Sequence, residues 1–355
     1  MNIEIDTGPM FYKDANSYHI QSCGETDIDR IMRFFGEYWD KNHLMATSRS
    51  FVTERFCRAA GGYSLLAAYG KAAEQPVLGI LGYLPNSRFD PALTGADDFC
   101  WLTNWLAAPD APNGLGLALY AALIEFERPV NVGTVGNNAL AEGIYRAMRF
   151  QTGCLRHYIL INPRRRRLLL SGFGERLSKS SSDEARGGKL IPITSVREAE
   201  SVFQAGNASF PPKTAVYIDS KYLRSPYHNY LAYRVLNKSG EGLLIGRLLA
   251  YDGAKMLRVV DYVGAPEALA NMNAPLCGIM EILGVEYLEF YCAGFPDGIL
   301  ESAGFIAVRE GQVAPGYFEP FQPENVIIRY ACHTGDGRAP IIFRGDGDRD
   351  HPRAI

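Results

Sequence analysis

The chain has 355 residues, 47% of them hydrophobic and 21% charged, and a net charge of −3. That is more length than one hydrophobic core usually serves, so two domains are expected. The composition is that of a soluble globular protein, and the small net charge gives no broad electrostatic footprint for nucleic acid or an anionic membrane. No apolar run approaches the roughly 20 residues that cross a bilayer. The opening MNIEIDTGPM lacks the basic-then-apolar pattern of a secretory signal, so a cytoplasmic protein is expected. The cysteine count of 7 is odd and includes no Cys-x-x-Cys pair, which argues against a disulfide framework or a zinc site.

In chain order, residues 27–35 place Ile28, Ile31, Met32 and Phe35 on one helical face, with Thr26 or Asp27 as cap. Residues 63–69 and 76–84 read as neighbouring strands, the Gly/Pro-containing 85–98 as their connection to the next, and 99–107 as that strand. Residues 113–127 switch to helical spacing, with Leu115, Leu119, Ala122, Leu123 and Phe126 on one side, and Pro129 ends the helix. A short strand over 130–135, a helix over 138–148 and a closing strand over 156–161 complete a first domain, 1–163.

Residues 164–188 begin with four arginines and end small, polar and glycine-containing, which predicts a flexible linker. A repeat then appears at an offset of 155 residues, setting Phe150 on Phe305. The strand at 130–135 falls on 285–290, and that at 100–107 on 255–262. Duplication of one α/β unit is the simplest account, with a second domain over 189–332 and a polar tail over 333–355. The tail's Asp346, Asp348 and Asp350 have the alternation of a calcium loop, but no glutamate and helix follow. A surface tail, or one folded back over a cleft, is expected.

Chemistry enters at 101–123. A strand ends in a Pro-Asp turn, and Gly114-Leu115-Gly116 opens a helix. Glycines there let a ligand approach the backbone closely, and the unpaired N–H groups of a helix's first turn form an anion site that suits a pyrophosphate.

This segment resembles the acyl-CoA loop of the GNAT acyltransferase superfamily, Gln/Arg-x-x-Gly-x-Gly/Ala after a splayed strand. The block from Asn138 to Phe150 is similar to that superfamily's Asn-x-x-Ala-x-x-x-Tyr-x-x-x-Gly-Phe: Asn138, Ala141, Tyr145 and Phe150 match, and Arg149 replaces the glycine. The loop's Gln/Arg falls on Ala111. In the second copy Gly114, Gly116 and Tyr145 fall on Leu269, Asn271 and Leu300, so that copy is expected to keep the framework without the cofactor site. The resemblance implies an α/β (α+β) fold of two tandem GNAT-like domains, each a mixed, mostly antiparallel sheet flanked by helices.

It also implies acetyl-CoA, or another acyl-CoA, as cofactor. Trp105, Leu106 and Ala107 would line the acyl and pantetheine arm; Asn113, Gly114, Leu115, Gly116, Leu117 and Ala118 would form the phosphate loop; Asn138 would touch the arm or strand edge. Tyr145 would be the general acid for the departing thiolate. His43 and Glu37 are the candidate bases, with Asp97 and Asp98 behind them. Tyr38, Trp39, Trp101 and Trp105 could stack on a ring-shaped acceptor or simply pack. The expectation is an acyltransferase, moving acyl groups other than aminoacyl onto a small amine, such as an amino sugar in a surface-polysaccharide pathway. A non-catalytic acyl-CoA sensor and a tandem aminoacyl or peptidyl transferase are the alternatives. No nucleic-acid, membrane or metal partner is expected, and exposed strand edges leave room for a homodimer.

Overall fold

The computed structural model describes residues 11–14, 17–58, 61–72, 74–165, 167–171, 188–204, 209–318, 321–348 and 350. The first half runs β1 (Phe11–Asp14), β2 (Tyr18–Ser22), α1 (Ile28–Tyr38), α2 (Leu44–Thr47), α3 (Arg49–Phe56), β3 (Leu65–Gly70), β4 (Val77–Pro85), β5 (Cys100–Ala107), α4 (Leu115–Glu127), β6 (Asn131–Asn137), α5 (Ala139–Ala147) and β7 (Gln151–Cys154). The first half ends with β8 (Arg156–Ile161), and the second runs β9 (Lys189–Ile193), α6 (Glu200–Gln204), α7 (Ala215–Ile218), β10 (Tyr230–Asn237), β11 (Gly240–Tyr251), β12 (Ala254–Gly264), α8 (Asn273–Leu283), β13 (Tyr287–Ala293), α9 (Asp297–Ser302) and β14 (Ile306–Ala307). A small hairpin, β15 (Tyr317–Phe318) and β16 (Phe321–Gln322), precedes β17 (Arg329–Thr334) and β18 (Ile342–Phe343).

The helices form where apolar spacing gives them a face to bury. α1 buries Ile28, Ile31, Phe34 and Phe35 against β3 and β4, each side chain contributing about 1.5–3 kcal/mol. α4 buries Leu115, Ala118, Leu119, Ala122 and Leu123 on the opposite face of the same sheet. The repeat is visible element by element: β2, β3, β4, β5, α4, β6, α5 and β7 correspond to β9, β10, β11, β12, α8, β13, α9 and β14.

The two sheets exchange strands. The first has the order β1-β2-β3-β4-β5-β6-β17-β7, the second β14-β8-β13-β12-β11-β10-β9. The strand over 156–161, expected to close the first domain, pairs along β13 from Cys292↔Arg156 to Tyr287↔Ile161. In return β17 pairs with β6 and β7 of the first half. A boundary at residue 163 therefore separates the chain but not the sheets, because β6 and β13 each need a partner for their outer backbone groups and take it from the other half. Of the linker over 164–188, residues 172–187 and Arg166 lie outside the described residues.

The tail over 333–355 is exposed over 335–339, as expected, but turns inward from Pro340. Arg344, Asp346 and Asp350 are buried, and Ile342 and Phe343 pair with β13. Their charges reach the interior because groups of opposite charge await them, as described below.

The closing motif explains its own glycine. The position after α5 takes φ +65° at Arg149, and its counterpart Gly304 takes φ +91°. Left-handed backbone costs an ordinary side chain about 1 kcal/mol. Arg149 is exposed, so Arg149→Gly should raise stability by about 1 kcal/mol, read as a higher urea midpoint with an unchanged m-value.

Candidate active site

The first sheet forks between β5 and β6. These parallel strands pair only at Cys100↔Val132 and Trp101↔Gly133. Beyond that point β5 carries a bulge: Thr103 faces Gly82 and Leu106 faces Ile80, so Asn104 and Trp105 together oppose Leu81. Asn104 takes φ +49°. A bulge bends its strand and raises local twist, which opens the fork.

At the mouth of the fork stands α4. Gly114 precedes it at φ +83°, with open space where a side chain would be. The Leu115 N–H donates to Pro112 O (3.1 Å) and the Ala118 N–H to Gly114 O (3.0 Å). The Gly116 and Leu117 N–H groups have no protein acceptor among the described residues, which suits an anionic ligand at a helix start. Gly116 lies under Trp105, whose indole N–H donates to Gly116 O (3.1 Å); a Cβ there would stand 3.2 Å from the indole nitrogen. Asn113 and Leu117 are exposed, and Leu115 and Ala118 are buried. Ala111, in the place of the Gln/Arg, packs half-buried between the two cores flanking the sheet.

Leu106 and Ala107 line the fork as part of β5, half-buried. Tyr145 reaches the fork from α5, with ring centroids 5.6 Å from Trp105 and 5.2 Å from Phe150. It is 2% exposed. Burial pushes its phenol well above the ordinary range, and the Thr134 hydroxyl partly offsets this. Asn138 caps α5, its side chain accepting from the Ala141 N–H (2.8 Å).

The two candidate bases lie on the other face. His43 is buried, stacks on Phe35 (5.7 Å), and its Nδ1 accepts the Met45 N–H (3.1 Å) to cap α2. Glu37 is exposed near the end of α1, beside Tyr38. Trp101 is buried between the halves, donating to Asn86 Oδ1 (3.1 Å) and stacked on Phe99. Asp98 holds the Ser87 and Phe99 N–H groups (2.9 and 2.8 Å).

The second fork, between β12 and β13, is occupied by the chain itself. Pairing there covers Leu257–Val259 against Leu288–Phe290. Past it, Phe343 and Ile342 pair with Cys292 and Ala293, and the Gly345 N–H donates to Val260 O (2.8 Å). The loop has changed too: Leu269 is fully buried in a 3-10 turn where the first copy exposes Gly114.

Buried charges anchor this segment. Lys213 donates to Asp261 (2.6 Å) and contacts Asp346 (3.0 Å), while Asp346 accepts the Phe343 N–H (2.8 Å). Arg258 binds Glu289 (2.8 Å) and shares Gly316 O with Arg344 (2.7 Å each). Asp350 sits 3.3 Å from Arg247 and 3.4 Å from Arg258. Asp346 and Asp350 thus face protein cations, and among the described residues no cluster of three or more His, Cys, Asp or Glu could hold a metal.

Between the halves lies a cavity of about 760 Å³. Sequence reasoning missed it, because its walls come from segments far apart in the chain: Phe51, Glu54 and Arg55 from α3, Tyr83 from β4, Glu127 from α4, and Tyr227, His228 and Asp350 from the second half. Arg58 pairs with Glu127 (2.7 Å), which also accepts from Tyr83 (2.5 Å), and Tyr227 donates to Glu54 (2.8 Å). Arg55 both lines the cavity and donates to Thr103 (3.2 Å) at the start of the bulge, so the cavity reaches β5.

The forked sheet is present twice, and the first copy adds the bulge and the glycine-entered helix of an acyltransferase-type α/β fold. No family model and no curated protein matches the chain. Among solved structures it is similar to a GCN5-related N-acetyltransferase from Anabaena variabilis (TM-score 0.54, 12% identity, covering 90% of this chain and 73% of that one). It is also similar to a conserved protein of unknown function from Enterococcus faecalis described as a probable N-acyltransferase (TM-score 0.50, 9% identity, 88% and 71% covered). The fold is that of the GCN5-related N-acetyltransferases. Among the described residues no helix is long and apolar enough to cross a membrane.

The buried cluster generates a pH prediction. His157 stacks on Tyr291 (4.0 Å) and lies 3.4 Å from Glu289. Burial lowers its pKa below the ordinary value, with Glu289 opposing this and Arg344 and Arg258 reinforcing it. The unfolded chain therefore binds the proton first, so stability falls as pH drops below about 6.5. Stability should therefore fall between pH 7 and 5.5, and the urea midpoint of His157→Gln should change less over that interval than that of the parent chain.

Proposed function

We propose that the chain is an acyl-CoA-dependent N-acyltransferase, using acetyl-CoA, with a small amine acceptor bound in the cavity between the halves. One observation carries the reading: the first fork opens onto free helix amides, while its counterpart is filled by the protein's own chain. Acyl-CoA supplies an activated thioester carbonyl. Gly116 and Leu117 would hold the pyrophosphate through backbone N–H groups, and Trp105, Leu106 and Ala107 would flank the arm; the side chain absent at Ala111 leaves that task to the backbone.

The acceptor amine is oriented by the cavity, whose tyrosines and paired charges fit a hydroxylated ring such as an amino sugar. Its proton passes to a cavity carboxylate. Glu54 is the choice, because the adjacent Arg55 touches Thr103. As the C–N bond forms and the C–S bond breaks, the Tyr145 phenol gives its proton to the leaving sulfur. A phenol that burial keeps protonated is suited to this.

A second reading, acyl-CoA binding without turnover, draws on the low exposure of Tyr145. Tyr145→Phe separates the two: a catalytic phenol predicts about a 100-fold fall in turnover with CoA affinity unchanged, and a sensor predicts no effect on binding or on any residual rate.

The cofactor site itself is tested at Leu117, which is 49% exposed at the first turn of α4. Leu117→Glu adds a favourable charge for the helix but an unfavourable one for a pyrophosphate. Calorimetry should show native stability and a CoA affinity reduced at least about tenfold. Unchanged affinity would remove the fork from the proposal.

A further inference from the structure

The inner end of the first fork is closed by the chain's own C-terminal turn, and we propose that this turn limits the acyl group to short chains. The inference rests on the acyl-CoA reading of that fork.

The fork runs from its mouth at Ala107, beside the first turn of α4, to its crotch at Trp101 and Gly133. Those residue steps of extended strand span roughly 20 Å. The backbone of a pantetheine arm, from phosphoester oxygen to sulfur, is about as long as four residues of extended chain, roughly 13 Å. The difference, roughly 7 Å, accommodates an acyl group of about two to four carbons.

What stands at the crotch is the turn Asp346–Asp348, which packs against both β5 and β6. Gly347 takes φ +57°, and a Cβ built on it would lie 3.0 Å from both the backbone nitrogen and the Cβ of Val135. Val135 is on β6 just past its last pairing with β5, in a buried cluster with Phe99, Trp101 and Ile342. No side chain larger than hydrogen fits at 347 without moving β6, and a longer acyl chain faces the same wall.

The wall is held in place. Asp346 is fully buried, bridged by Lys213 to Asp261 on β12, and Tyr222 donates to the other oxygen of Asp261 (2.7 Å). On the N-terminal side, Ile342 and Phe343 are fixed in the second fork. One short run of chain thus fills one fork and stops the other. Close-packed interiors do not yield to an extra few methylenes without displacing such groups.

The experiment is a calorimetric series with CoA, acetyl-, butyryl-, hexanoyl- and octanoyl-CoA on the full chain. Acetyl- and butyryl-CoA should bind at least as tightly as CoA, and octanoyl-CoA at least about tenfold more weakly than acetyl-CoA. Two variants widen the crotch: a chain ending after Gly345, and Val135→Ala in the full chain, which leaves the turn's own residues unchanged. In each variant that keeps a cooperative melt, the octanoyl penalty should shrink at least about threefold. The inference is overturned if the full chain binds octanoyl- and acetyl-CoA alike, or if the folded variants keep the full penalty. Should the full chain fail to bind CoA itself, the acyl-CoA reading falls and takes this inference with it. CoA binding without length discrimination removes the inference alone.

Discussion

Each sheet lacks one strand that only the other half of the chain supplies, and the rest of the architecture depends on that exchange. β6 has β5 beside it for two residues only, so its remaining hydrogen-bonding groups rely on β17. β13 is placed likewise between β12 and β8. A buried backbone group without a partner costs about as much as a lost hydrogen bond, so neither sheet is complete alone. The exchange fixes how the halves face each other, and from it follow the cavity between them and the path of the C-terminal segment from one fork to the next.

The charges along that path act as locators. Lys213, Asp261 and Asp346 are all buried, as are Arg258, Glu289 and Asp350. Buried ion pairs add little net stability over apolar residues of similar size, but breaking one by removing a partner is costly. Their effect here is to make one placement of the last residues far better than any other. A purely apolar segment could slide along the second fork; one carrying Asp346 opposite Lys213 and Asp350 between Arg247 and Arg258 cannot. The same burial sets the acid response, since it holds the His157 pKa below its ordinary value and Arg344 and Arg258 reinforce it.

Much of this was legible in the sequence, for reasons that can be named. The 155-residue offset survives because strand and helix spacings repeat even where side chains do not: from β5 to β7 the paired elements appear where it puts them, while β9, β10 and β11 lie about 8 to 16 residues beyond the positions it gives for β2, β3 and β4. The glycine before α4 could be read because backbone at φ +83° leaves a compositional mark. Strand exchange leaves none. The pattern of Arg156–Ile161 specifies a half-buried strand but not whose edge it joins, and β17 carries Arg329 and His333, which disguise it. The acidic run at the end reads as a surface tail or one folded back over a cleft because burying charge is costly, and the cations that offset the cost lie 92 to 133 residues away in sequence, beyond the reach of local pattern. The cap that His43 provides, a ring nitrogen accepting the Met45 N–H, is a contact that sequence position does not specify.

The exchange also bears on how the chain is made. β6 is complete when Asn137 has left the ribosome, but its partner β17 ends at Thr334, roughly 200 residues later. At ordinary elongation rates that is a wait of roughly 10 to 40 s. During it the first sheet presents an unpaired edge, a template for pairing with any extended strand nearby, including the β6 of a neighbouring nascent chain. Translation speed and crowding on the message therefore become determinants of yield for this fold, independent of how stable the finished protein is.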